Sequence, residues 1–175
     1  MILTVLKWIG IVLLIVFLVS GAYVFGMQFA DGPNGLIRGG PFEIGELAEA
    51  PEDWNFLKGR MEIEFQTFEP DTSRVVWLGV LDQRLYIISG YMNTTFGKIW
   101  KQWPHRIEQD DRILLRIDGK LYEQRLERLM EHPGLMDLMS IYEEKYGAGP
   151  VDARQDLLQS ALTNADFWLF EVVER

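Results

Sequence analysis

Residues 8–27, WIGIVLLIVFLVSGAYVFGM, are 20 consecutive uncharged residues dominated by Ile, Val, Leu and Phe. No polar face interrupts the run, so a helix built from it is apolar all round and needs an apolar surrounding on every side. At ~1.5 Å per residue it reaches ~30 Å, the thickness of a bilayer's hydrocarbon core. Trp8 and Tyr23 lie toward its ends, where indole and phenol rings favour the lipid–water boundary. Two readings fit. One is a retained single-pass anchor over residues 1–30. The other is a cleaved leader, with Lys7 as its charged start and Ser20-Gly21-Ala22 as the small-residue cleavage site. The apolar run continues through Tyr23-Val24-Phe25, past that site, which favours the anchor. The amino terminus and Lys7 are positive on one side, while Asp31 precedes Arg38 on the other. The positive-inside rule therefore leans toward a cytoplasmic N-terminus and an extracytoplasmic body.

Charge separates the body from this segment. Lys7 is the only charged side chain before Asp31, so the rest of the chain holds all 26 carboxylates against 16 of the 17 Lys and Arg, a net of -10. An acidic body argues against nucleic-acid binding, which needs a basic face to displace counterions. The chain has no Cys, which excludes disulfides, thiolate chemistry and Cys-based zinc sites. Two His supply no transition-metal cluster.

Residues 31–57 are rich in Gly and Pro and read as a linker, with a short helical turn near Ile44–Ala50. After it, RMEIEFQTF alternates Met61, Ile63 and Phe65 with Glu62, Glu64 and Gln66, a strand with one buried and one wet face. SRVVWLGVL and RLYIISG read as a hairpin about Asp82-Gln83, and RILLRID with KLYEQRLERL as another about Asp118-Gly119. Between the hairpins, Phe96, Ile99, Trp100 and Trp103 recur at helical spacing over residues 95–103, and Pro104 is expected to stop that helix. HPGLMDLMSIYEEKYG reads as an amphipathic helix buried through Leu135, Leu138, Met139 and Tyr142 and closed by Gly147, VDARQDLLQSALTN as another, and DFWLFEVVE as a last strand. The predicted fold class is α+β: a transmembrane helix, then a six-stranded, mostly antiparallel, small closed or half-closed β-barrel with two to three helices over residues 58–175, sealed by its C-terminal strand.

One stretch departs from the acidic background. Residues 83–107 hold no carboxylate, yet include Arg84, Lys98, Lys101 and Arg106. Gly90 and Gly97 permit tight turns, Thr94 and Thr95 can cap a helix or donate to an anion, and Lys98 and Lys101 share a helix face. Trp100 and Trp103 could stack on a planar ring, although filling the core is the simpler reading. His105 has the chemistry for proton transfer, although a structural role is the simpler reading. Glu62 and Glu64 form a solvated strand face, Glu108–Asp111 an acidic loop without the pattern of a calcium site. Arg112, Arg116, Arg125 and Arg128 are expected to pair with Glu123 and Glu127 across the sheet.

In the order of IEFQT, SRVVWLGVLDQRLYIISG, GKIWKQW and RILLRIDGKLYEQRLERL, residues 54–175 resemble the split β-barrel flavoproteins. That superfamily includes pyridoxamine-phosphate-oxidase-like and deazaflavin-dependent nitroreductase-like proteins, and this chain resembles a membrane-anchored branch of it. The resemblance implies a homodimer binding FMN or a deazaflavin, with oxidoreductase chemistry. By position it implies Ser89, Thr94, Thr95, Lys98 and Lys101 as the phosphate group, Arg74 beside them, and Trp100 against the ring. The chain departs from the nitroreductase-like pattern where WPHRIEQDDRILLRI replaces an Asn-Leu pair and a basic segment, so the isoalloxazine contacts of that pattern have no counterparts here. The alternative is a non-catalytic barrel tethered beside a membrane protein partner.

Overall fold

The computed structural model describes residues 2–147 and 155–175; of Phe96, Ile99 and Trp100 it describes the backbone alone. Helix α1, Ile2–Gly26, holds residues 8–26 of the predicted span, and Met27 opens a short 3-10 turn, Met27–Phe29. The helix is long and apolar enough to cross a membrane, and none of its residues is buried against the rest of the chain.

Six strands close on themselves: β2 (Glu62–Thr67), β3 (Thr72–Leu81), β4 (Arg84–Gly90), β5 (Arg112–Ile117), β6 (Lys120–Leu129) and β7 (Phe167–Glu174). Around the barrel they run β6-β5-β2-β3-β4-β7, and β7 pairs back to β6. Every pairing among these six is antiparallel. Both hairpins turn at the expected residues, through positive φ at Asp82 and Gln83 and at Asp118 and Gly119, the conformation that matches strand twist in two-residue loops. Alternate residues fill the interior: Ile63 and Phe65, Val76, Leu78 and Val80, Leu85 and Ile87, Ile113, Leu115 and Ile117, then Trp168, Phe170 and Val172. Trp54 and Leu57 join this core from the chain before β2. Trp103, 3% exposed, packs at 5.1 Å from Phe65 and 5.3 Å from Phe170. Burying one such indole is worth on the order of 4–6 kcal/mol before ordering costs.

Helices α4 (Leu135–Tyr146) and α5 (Gln155–Thr163) cover the outer face of β3, β4 and β7, α4 lying over Leu78 and Gly79 of β3, and Leu135, Leu138, Met139, Tyr142, Leu158 and Leu162 meet Tyr86 and Leu169. The predicted stripe of α4 is thus the buried one, and Gly147 closes the helix in the left-handed region. The start expected for α5, residues 151–154, lies outside the described residues.

Three local expectations are corrected. The helix predicted over residues 95–103 is two, α2 (Thr95–Trp100) and α3 (Trp103–Ile107), and Pro104 begins the second rather than ending the first. Proline lacks only an N–H that a first helical turn leaves unpaired anyway. The barrel region therefore carries four helices among the described residues, not two or three. The turn expected near Ile44–Ala50 is a strand, β1 (Glu46–Leu47), parallel to β6; Glu46 N–H donates to Gly119 O at 2.9 Å and Ala48 N–H to Leu121 O at 2.9 Å.

Residues 31–57 run as a strap fastened to the barrel. Asp31 takes Nη1 of Arg116 at 2.8 and 2.9 Å, Gly39 bridges Ser73, and Phe42 N–H donates to Gln66 Oε1 at 2.7 Å. Gln66, expected on a wet face, is 4% exposed beneath it. The glycines here serve close approach: a Cβ on Gly39 would lie 1.7 Å from Gly32 O.

The arginines also find partners other than those expected. Register places Arg112 opposite Arg125. These like charges turn to the acidic loop, Arg112 to Asp110 at 2.6 Å and Arg125 to Asp111 at 3.1 Å. Arg128 pairs with Glu108, and Arg116 with Glu64 at 2.6 Å as well as Asp31. Glu123 takes Arg175 at 2.5 Å.

Candidate functional site

The β3–β4 ladder covers only Leu78–Leu81 against Arg84–Ile87. The first half of β3 pairs with β2, and the end of β4 pairs with β7, so the wall parts between them. A cleft of about 790 Å³ lies at this split, between Val75 and Trp77 on one side and Ile88 and Gly90 on the other. Tyr91, Thr94, Lys101 and Trp103 complete that end, Glu62 and Asp166 border it, and Gly35 and Leu36 of the strap reach its rim. Asp166 is engaged by Asn93 Nδ2 at 3.0 Å.

Beside this cleft is a cluster of cations. Arg74 shares the inward face of β3 with Val76 and Leu78, so its guanidinium enters the barrel's end, 6.0 Å from the Phe65 ring centre. Arg74 Nη2 and Arg106 Nη1 both donate to the Thr72 hydroxyl, at 3.5 and 3.4 Å. Arg74 Nε is enclosed without a partner. Burial, then the charges of Arg106 and Arg38, lower the Arg74 pKa to about 10. Lys101 is held below the ordinary lysine value by burial and then by Arg74, which ties the cleft to the cluster electrostatically. Among the described residues, Arg38, Arg74, Lys101 and Arg106 make no ion pair. Arg38 is exposed, but Arg74, Lys101 and Arg106 are half-buried; unpaired cations drawn out of water are costly, and an anion brought among them recovers that cost.

The groove beside β1 and β7, about 840 Å³, is different. Its Arg84 and Arg175 are already paired with Glu171 and Glu123, and Glu49, Glu52 and Glu174 also line it.

The residues singled out from sequence do not all converge. Lys101 and Arg74 do. Thr94 lines the cleft but caps α2: its Oγ1 accepts from Gly97 N–H at 2.9 Å and donates to Tyr91 O at 2.8 Å. Ser89 is fully buried in the barrel, its hydroxyl directed at Met92 Sδ, 3.4 Å away. Thr95 and Lys98 are exposed on α2. The Trp100 side chain lies outside the described residues. His105 stands edge-on to Trp168 at 4.8 Å and 3.7 Å from Glu108, away from the cleft lining. Arg38 was not linked to the site, and Arg106 was noted only among the cations of the carboxylate-free stretch 83–107. The available signal was the inward register of Thr72 and Arg74 on β3, which marks a barrel end needing further polar partners.

The sequence matches no protein-family model and no curated protein. Among solved structures it is similar to the conserved hypothetical protein Rv2991 from Mycobacterium tuberculosis, at 14% identity over 73% of this chain and 86% of that one, TM-score 0.47. It is also similar to the heme storage protein HutZ from Vibrio cholerae, at 8% identity over 69% and 86%, TM-score 0.42. A third is an FAD-binding protein from Mesorhizobium loti, at 12% identity over 69% and 86%, TM-score 0.38. These likenesses are distant, and the chemistry of the site rests on this chain's own residues.

Proposed function

We propose that this chain is a membrane-anchored oxidoreductase-like protein that holds a phosphorylated flavin or deazaflavin in the cleft at the barrel's split. The observation that carries this reading is the unpaired Arg74, Lys101 and Arg106 group beside a cleft walled by Val75, Trp77, Ile88 and Trp103. Donors and cavity suit one anionic end and one flat apolar body. The orphaned Arg74 Nε and the half-buried Lys101 ammonium suit a phosphate, and Trp77, 44% exposed and backed by Tyr146 at 4.5 Å, offers a flat apolar wall for a ring, with Trp103 closing the cleft's floor from the core. Bound there, the flavin class supplies hydride transfer. The chain's part is to neutralise the phosphate, orient the ring and exclude water. Trp77 and Tyr91, 44% and 74% exposed on the rim, support a second copy covering the cleft as a homodimer. The same exposed rim supports a second reading, a non-catalytic module whose cleft receives a membrane protein partner.

The test is an absorbance spectrum of detergent-purified full-length protein, as isolated and after incubation with micromolar FMN or deazaflavin. Lys101→Ala is expected to weaken retention by about 10- to 150-fold, the equivalent of about 1.5–3 kcal/mol for one charge-assisted contact. Exposed Lys98→Ala is expected to change it far less. Failure of the parent protein to bind either compound overturns the redox reading, and a stoichiometric co-purifying protein would then favour the second.

A further inference from the structure

One turn of the strap is set against the anchor. Asn34 and Ile37 exchange both backbone hydrogen bonds at 3.0 Å, with Gly35 at φ +56 and Leu36 at the tip, 95% exposed. Asn34 Nδ2 donates to the Tyr23 hydroxyl at 2.5 Å. Tyr23 precedes the end of α1 at Gly26 by three residues, ~4.5 Å along the axis. The turn therefore lies level with the last helical turn. Phe25 and Phe29 meet edge to face at 5.8 Å near that level and are 66% and 73% exposed. Arg38 follows the turn, exposed and without an ion pair among the described residues, while Asp31 is committed to Arg116.

A lone exposed leucine is ordinary. Here the leucine tip is held level with the last turn of an apolar helix by the Asn34–Tyr23 bond, exposed phenylalanines mark that level, and an unpaired arginine follows two residues on. We propose that the turn at residues 34–38 is a second membrane contact: Leu36 enters the lipid interface beside α1, and Arg38 engages the phosphate of an anionic lipid. This rests on the anchor reading of α1. The occupant is a bilayer with anionic headgroups because the turn lies level with the end of α1 and its unpaired charge is positive. Gly35 and Leu36 also border the cleft, and the Gly39–Ser73 and Asp31–Arg116 contacts hold the strap to the barrel. The cleft rim is thereby set at headgroup level.

The absence of cysteine allows single-site labelling. Val16→Cys, Leu36→Cys and Glu127→Cys variants of the full chain would carry the same fluorophore in phosphatidylcholine vesicles, with and without phosphatidylglycerol, containing nitroxide-labelled lipid. Glu127 lies on β6, across the barrel from β3. Labels at positions 16 and 36 are expected to be quenched several-fold more than at 127. Phosphatidylglycerol should deepen quenching at 36, and Arg38→Gln should remove that increment. If position 16 is quenched while 36 behaves like 127, the second contact is overturned and the anchor stands. If 16 is not quenched, both are overturned.

Discussion

Replacing Arg74 with methionine should make the ligand-free protein more stable and the ligand-bound protein less so. Burial and two neighbouring guanidinium groups lower the Arg74 pKa to about 10. That is roughly 2.5 tenfold steps below an ordinary arginine, an upper bound on the order of 3 kcal/mol at ~1.4 kcal/mol per step. Because the folded-state pKa is the depressed one, the penalty is fully present below pH 10 and fades as pH rises from there toward the unfolded-state value. At pH 7 Arg74→Met removes the charge, the orphaned Nε and repulsion on Arg106 and Lys101, while a methionine of similar length fills the space beside Phe65. After relaxation around the cavity, a gain of about 1–2 kcal/mol is expected, raising the melting temperature by about 2–8 °C for a chain of this size. Saturating FMN at 100 times its dissociation constant should stabilise the parent by about 2.7 kcal/mol, and the variant by much less. Thermal unfolding of the detergent-solubilised full chain, with FMN, inorganic phosphate or neither, measures all of this. A ligand-free Arg74→Met protein that melts well below the parent would refute the cation-frustration argument. Equal FMN stabilisation of both would refute the placement of the phosphate.

Two further outcomes test the strap. Gly39→Ala puts a methyl group 1.7 Å from Gly32 O, a backbone atom that can yield only if the strap moves; a loss of about 2 kcal/mol or more and early proteolysis within residues 31–45 are expected. Acid should loosen the same region first. Burial raises the Asp31 pKa, but the N–H groups of Glu43 and Ile44 together with Arg116 outweigh it and the net pKa is lowered. Its stabilisation is therefore present above the unfolded carboxylate value, about pH 4, and is lost as pH falls through the lowered folded one. Hydrogen exchange of Glu43 and Ile44 should accelerate there in the parent, and Asp31→Asn should show the faster rate already at pH 7.

The apolar helix, the two hairpins, the stripe of α4 and the sealing strand were all written in short windows of sequence. Period, turn residues and capping act between neighbours a few positions apart, so Asp118-Gly119 makes its turn and Leu135, Leu138 and Tyr142 share a face almost regardless of the rest. The strap was not legible in that way. Gly32 and Gly39 look like flexibility until the strap is folded, with Gly32 against Arg116 of the barrel and Gly39 against Gly32. Nor was the arginine pairing, because the register of β5 on β6 sets like charge opposite like charge and only the fold offers the acidic loop instead. The cation cluster was the least legible of all. Arg38, Arg74, Lys101 and Arg106 come from the strap, a strand and two helix boundaries, and their mutual repulsion exists only once the barrel has closed. Local chemistry determined which elements form; long-range closure decided which charges must share one small space.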